Sequence, residues 1–222
     1  GVEANATVAY DSKNVLSFGA KYIKLSWNTD ENNSSYRRYG NDARRSFYVE
    51  NAWSADNRTR LTLGVRREDV TQDFRDNDSA SQKTTSKSNA FDPVLNFTHD
   101  VTKRDTIRLS AGRSHVFVGS KDAAGNIRSG YPVPNPKRNS NYEIGWKHKF
   151  GSKAEFDLTH FRTDVRDRIR TITFGRDRVL GNVDKTHIRG LELAYRQTFS
   201  SKLSAFANYT WINAKDEENG VT

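Results

Sequence analysis

The residues best suited to hold a ligand are arginines and tyrosines gathered in polar stretches. Tyr36-Arg37-Arg38-Tyr39 is one such run, Arg128 and Tyr131 stand in a second, and Arg176 and Arg178 in a third. A guanidinium is a planar fork that matches carboxylate or catecholate oxygens, and a tyrosine ring can stack on a ligand. The competing reading of each is a solvated charge, or a contact with phosphates. Covalent chemistry finds less support. His99-Asp100 is adjacent in sequence but falls at a short turn, and His115 and His148 have no evident Ser or carboxylate partner. No Gly-rich phosphate loop, calcium-loop pattern or His-x-x-x-His helix occurs. With no cysteine, disulfides and thiolate metal sites are excluded. No catalysis, cofactor or resident metal is expected.

The elements that must position these runs are alternating strands. In residues 139–163, Tyr142, Ile144, Trp146, His148 and Phe150 share one face, and Asn141, Glu143, Gly145, Lys147 and Lys149 share the other. Period two is the strand period. Gly151-Ser152-Lys153 turns the chain, and Phe156 and Leu158 resume the apolar face. The same pattern recurs along the chain. Its apolar positions are Ala4–Tyr10, Leu16–Tyr22, Phe47–Trp53, Leu61–Val65, Phe91–Phe97, Ile107–Ala111, Leu191–Tyr195 and Leu203–Trp211. With the hairpin, that makes ten strands.

Composition narrows the setting. The 222 residues are 34% hydrophobic, 28% charged and 11% aromatic, with a mean hydropathy of −0.86. No run has the length of a membrane-crossing helix, which leaves β-barrels open. The net charge of +9 is spread along the chain among 27 acids, and no nucleic-acid motif collects it, so no nucleic-acid partner is expected. The chain has no methionine and starts at Gly1. It is therefore expected to be a segment, or a chain from which a leader has been removed.

The connections alternate between short and long. Polar stretches 28–44, 71–89 and 118–138 are long, 175–182 is of medium length, and the turns between them are short. A transmembrane barrel places its short turns on one side and its long loops on the other. Tyr209 and Trp211 then fall near one interface, and Trp53 and Phe150 near the other. Lys21, Glu50, Arg66, Arg108, Glu143, Lys147, Asp157 and Glu192 would point inward. In a small closed barrel these would be costly buried charges, whereas a wide barrel with a wet or plugged lumen tolerates them. The fold class expected is all-β: an antiparallel up-and-down transmembrane β-barrel section of about ten strands, with short inner turns and long outer loops. His148 and His160 fall on the lipid-facing side without a physical reason.

Read in order, six segments resemble the barrel of TonB-dependent outer-membrane receptors. They are RLTLGVRRED (Arg60 to Asp69), NAFDPVLNFTHDVTKRDTIRLSAGRS (Asn89 to Ser114), NPKRNSNYEIGWKHKF, FDLTHFRTDVRDRI (Phe156 to Ile169), LGNVDKTHIRGLELAYRQTF (Leu180 to Phe199) and SAFANYTWINA (Ser204 to Ala214). The Pro-Glu pair usual before the Asn-Tyr-Glu segment is replaced by Lys137-Arg138-Asn139. Ser114-His115-Val116-Phe117 stands where an aromatic-Arg-Ala-Pro stretch is usual, which argues against a haem receptor.

The resemblance implies one barrel section over residues 1–222, about ten strands of roughly 22, without the N-terminal plug or the last strands. It implies uptake of a scarce nutrient, foremost a ferric siderophore, at the bacterial outer membrane. The partners implied are that small-molecule ligand, membrane lipid, and the TonB energy complex acting through a plug domain. A passive porin-like channel and a soluble ligand-binding β-domain are the alternatives. A ten-stranded outer-membrane protease is disfavoured, because His99-Asp100 would lie at the end away from its rim.

Overall fold

The computed structural model describes residues 1–30, 37–76, 84–183 and 185–217. Its elements are β1 (Val2–Ala9), β2 (Asn14–Asp30), β3 (Arg37–Ser54), β4 (Thr59–Asp76), β5 (Thr84–Asp100), β6 (Asp105–Val116), α1 (Ser120–Arg128), β7 (Lys137–Phe150), β8 (Ala154–Arg166), β9 (Arg168–Phe174), β10 (Asp177–Val183), β11 (Lys185–Thr198) and β12 (Ser204–Glu217). Ten strands form one sheet in the order β1-β2-β3-β4-β5-β6-β7-β8-β11-β12, and β9-β10 is a separate hairpin between β8 and β11. Every pairing is antiparallel. The sheet is not closed, and β1 and β12 are its two end strands. The ten-strand up-and-down order is the one the alternation predicts.

Three expectations need correction. Stretches 28–44 and 71–89 are mostly strand rather than loop: β2 runs to Asp30, β3 starts at Arg37, β4 runs to Asp76 and β5 starts at Thr84. In their outer halves the face that is apolar lower down becomes polar, while Ile23, Trp27, Val70 and Phe74 put apolar groups on the other face, so the alternation reverses phase while the backbone ladder continues. The predicted loop at 175–182 is instead the turn and second strand of the β9-β10 hairpin, with Gly175 at φ 60 in its turn. Within 118–138 lies α1, a nine-residue helix too short and too polar to announce itself.

The short-turn end is held by local hydrogen bonds. Asp56 accepts the N–H groups of Arg58 and Thr59, each at 2.7 Å, and Asp11 does the same for Lys13 and Asn14. These backbone donors favour the ionised form and hold both carboxyls below the usual aspartate range.

One face of the sheet is apolar and uncovered. Phe47, Ile144 and Tyr209 are each more than half exposed on it. The sheet also leans relative to this apolar band. One hydrogen-bonded row runs from Val8 and Leu16 through Leu63 and Leu95 to Tyr142, and then to Arg162 and Arg189. A row that starts among leucines and ends among arginines crosses the boundary of the band obliquely, as tilted barrel strands require.

The other face carries paired charge. Arg108 on β6 makes two hydrogen bonds to Asp157 on β8, at 2.6 and 2.8 Å, passing over Gly145 of β7. A Cβ at Gly145 would stand 2.8 Å from the Arg108 guanidinium, so glycine lets the guanidinium lie in this slot without being displaced. Lys147 lies 3.8 Å from the same carboxylate. The charges expected to point inward at these three positions are thus a connected set.

The predicted lack of partners for His115 and His148 is overturned. The His148 imidazole lies 2.6 Å from Asp105, which also accepts the indole N–H of Trp146. His115 is hydrogen-bonded to Asp92. His148 and Trp146 thereby share one carboxylate at the short-turn edge of the apolar band. His160 stays exposed on the apolar face between Ile144 and Leu191. His99 is hydrogen-bonded to Thr59 rather than presented to a nucleophile.

Candidate functional site at the long-connection end

At the end away from the short turns, α1 and the β9-β10 hairpin fold onto the polar face. A small core forms there from Phe74, Val118 and Ala123, with Trp27, Ala124, Ile127, Val133, Ile169 and Leu180 packed around it. It joins β2, β4, α1, β9 and β10, which are distant in sequence.

Buried polar groups fix the geometry. Gln72 donates to the carbonyl oxygen of Val118 at 2.8 Å and to Asp42 at 3.3 Å. The backbone N–H of Ser120 donates to Asp42, and the indole N–H of Trp27 donates to the Ser120 hydroxyl. The Trp27 ring lies over Gly40, its register partner, where a Cβ would come within 2.8 Å of it. Asn126, 1% exposed, donates to the carbonyls of Pro132 and Leu180, and its own carbonyl accepts the Leu180 N–H at 2.7 Å. It acts as one more rung of a ladder between helix and hairpin. Asn182 does the same for Asn135 and Asp167. Each amide satisfies backbone groups that would otherwise be unpaired, at a cost of about 1–3 kcal/mol apiece.

The predicted ligand-facing residues divide into two places. Tyr36 lies outside the described residues, as do the side chains of Arg37, Arg38 and Arg128. Arg37 and Arg38 pair in register with Asp30 and Thr29 at the far end of β2-β3. Tyr39 is on the face opposite to α1, with the Arg75 guanidinium 5.9 Å from its ring centre. Arg128 is the last residue of α1. Tyr131 stacks on Phe174 at 5.6 Å, which puts it beside the hairpin that carries the exposed Arg176 and Arg178. The helix–hairpin group is therefore brought together, and Tyr39 stands apart from it.

A cleft of 560 Å³ lies between Thr84, Thr85 and Ser86 of β5 on one side and, on the other, Ile127 of α1 with Gly130, Tyr131, Pro132 and Val133 of the segment that follows it. Hydroxyls face it from one wall, with an aromatic ring and aliphatic groups on the other. Such a wall can hydrogen-bond the periphery of a ligand and stack on its flat part. The sequence reading missed Trp27, Asn126, Phe174 and Leu180. The one local cue was Ala123, Ala124 and Ile127 at helical spacing.

The open up-and-down sheet, its uncovered apolar face and its outer cap define a section of a wide antiparallel barrel. The chain matches the family description "TonB dependent receptor-like, beta-barrel" over residues 2–222 and belongs to that family. Solved structures share the fold at low identity. The ferric citrate transporter FecA is 18% identical with a TM-score of 0.74, the alignment covering 98% of this chain and 35% of that one. The copper transporter OprC is 16% identical with a TM-score of 0.73, covering 96% and 37%. The ferric yersiniabactin uptake receptor FyuA from Yersinia pestis is 15% identical with a TM-score of 0.68, covering 98% and 35%. The chain thus spans little more than a third of the length of these transporters.

Proposed function

We propose that this chain is part of the barrel of an outer-membrane TonB-dependent transporter that takes up a scarce nutrient, with an anionic ferric siderophore as its cargo. Family membership supports active uptake. The observation that carries the choice of cargo is the helix–hairpin group, where Tyr131 stacked on Phe174 adjoins Arg176 in the hairpin turn and Arg178 on β10. Aromatic surface beside guanidinium forks suits a flat chelate with peripheral anionic oxygens. Arg128 is proposed to extend the helix–hairpin group, and Tyr36, Arg37, Arg38 and Tyr39 are proposed as further ligand contacts at the end of β2-β3, with Tyr39 on the opposite face.

The printed cargoes of the neighbours include copper as well as ferric chelates. This chain contains neither Cys nor Met, so it offers copper none of the soft sulfur ligands that metal favours. That supports the chelate over the bare ion.

The uncovered apolar face supports the membrane setting, because Phe47, Val49, Ile144, Trp146 and Trp211 together would be poorly solvated by water. Energy is proposed to arrive from the TonB complex through a plug domain elsewhere in the parent protein. Growth of the parent strain on ferric siderophores, with and without the gene, tests the cargo. A parent gene that encodes no plug domain would defeat active transport. Steady ion conductance of the purified receptor in planar bilayers would favour a passive channel instead.

A further inference from the structure

We propose that the cleft beside α1 is a strand-docking site, where an extended peptide pairs its backbone antiparallel with the open edge of β5. The site goes beyond the cargo reading above, which uses side chains rather than this edge. From Thr84 to Asp92, β5 pairs only with β4, and its first rung with β6 is Val94 with Gly112. Among the described residues no backbone hydrogen bond reaches the β6-facing edge above that rung. Unlike the outer edges of β1 and β12, this edge lies within the sheet, between two strands that are paired lower down. Thr84, Thr85 and Ser86 all line the cleft. Successive side chains point to opposite faces, so what these three share is the strand edge itself. None of their β4 partners, Phe74, Asp73 and Gln72, lines the cleft, which places it on the β6 side.

The wall across the cleft cannot close this edge by itself. The chain there runs Tyr131-Pro132-Val133-Pro134-Asn135-Pro136. A proline has no N–H, and prolines at every second position strip one edge of an extended segment of its donors. Of the remaining donors, the Tyr131 N–H goes to the Asn126 carbonyl at 2.8 Å and the Asn135 N–H to the Asn182 side chain at 2.7 Å. Of these six residues only Val133 keeps a backbone donor to offer, too little for a ladder. An open strand edge is a template for another chain, and this one faces a wall that cannot use it.

The surroundings set the side chains of the occupant. Toward the cap, alternate residues of a docked strand would meet Ile127, Tyr131 and Val133, which suits apolar groups. Toward the other face the rest would meet Lys87 and Arg113, which suits carboxylates. Both are exposed and make no ion pair among the described residues. As a strand, residues 84–91 span about 24 Å, the length of a peptide of about eight residues. In docking of this kind the backbone bonds give affinity and the alternate side chains give specificity. The occupant is therefore an extended, proline-free peptide that alternates apolar and acidic residues.

The test uses the full-length receptor in detergent, titrated with an acetylated and amidated octapeptide in which Val and Glu alternate. Two further forms carry N-methyl groups on every valine or on every glutamate. Antiparallel docking with the valines toward the cap turns only one set of N–H groups to β5. One form should therefore bind like the parent, and the other about tenfold more weakly, through the loss of two or more hydrogen bonds. Exchanging Glu for Lys in the peptide should cost about fivefold. Val133→Asp in the receptor should cost about tenfold. If that variant does not fold, the methylated peptides need no substitution and decide the matter. In the bound receptor, amide exchange should slow at alternate residues between Thr84 and Phe91. Absence of binding at millimolar peptide overturns the proposal. So does equal affinity of the two methylated forms, a lysine peptide that binds as well as the parent, or unchanged exchange along β5.

Discussion

Arg108 reaches Asp157 across an intervening strand because Gly145 leaves room for its guanidinium. The pair is partly exposed, so solvent weakens it. A double-mutant cycle with Arg108→Gln and Asp157→Asn should give a coupling of about 1 kcal/mol in thermal unfolding of the receptor. Gly145→Val should remove most of that coupling by filling the slot. A full coupling in the Gly145→Val background would show that the slot is not needed.

Asn126 should matter more to the cap than to the sheet. Asn126→Ala leaves the N–H and C=O of Leu180 without partners and should raise local opening of α1 and the β9-β10 hairpin by about 2–4 kcal/mol. Amide exchange should speed up at Leu180 and across Ser120–Arg128, with β7 and β8 unchanged. Uniform acceleration over the whole sheet would contradict a local role.

Trp27 separates two contributions. Trp27→Phe keeps a ring over Gly40 but loses the hydrogen bond to Ser120, and should loosen α1 by about 1 kcal/mol. Gly40→Ala drives a methyl against the ring itself and should cost about 1–3 kcal/mol. Exchange of the Ala123 amide reads both. Equal effects of the two changes would mean that ring position is unimportant.

The Asp56 turn should respond to acid. Its carboxyl is held below the ordinary aspartate value of about 3.9 by the Arg58 and Thr59 amides. A depressed folded value gives stabilisation that is complete above the unfolded value and is lost as pH falls through the folded one. Exchange protection of the Thr59 amide should therefore hold from neutral pH to about 4 and decline below that. Asp56→Ala should abolish the decline along with the protection. Protection that persists in Asp56→Ala would assign it to the strand ladder instead.

Much of the sheet was legible from residues such as Ile144, Trp146 and Phe150, whose alternation with Glu143 and Lys147 reports a face directly. The outer halves of β2 to β5 were not, because Lys24, Ser26 and Asn28 are polar on the same face that Phe18 and Tyr22 make apolar below them. On the other face Trp27, Val70 and Phe74 are covered by the cap, so the period persists with its phase reversed and reads as a break rather than as a continuing strand. The cap was illegible for another reason: Asn126 and Leu180 are 54 residues apart, and their pairing depends on how β6, β8 and β11 are arranged. His148 looked unpartnered because Asp105 lies 43 residues away and meets it only through register.

The ladder between β5 and β6 ends at Val94 and Gly112, beside Pro93, which has no N–H to donate. Beyond that point the two strands share no rung, and the hydrogen bond between His115 and Asp92 spans the gap like a clasp. The wall therefore has an expansion joint on the side where α1 enters. Its lips can part by the length of one side-chain contact while every backbone hydrogen bond of the sheet stays intact.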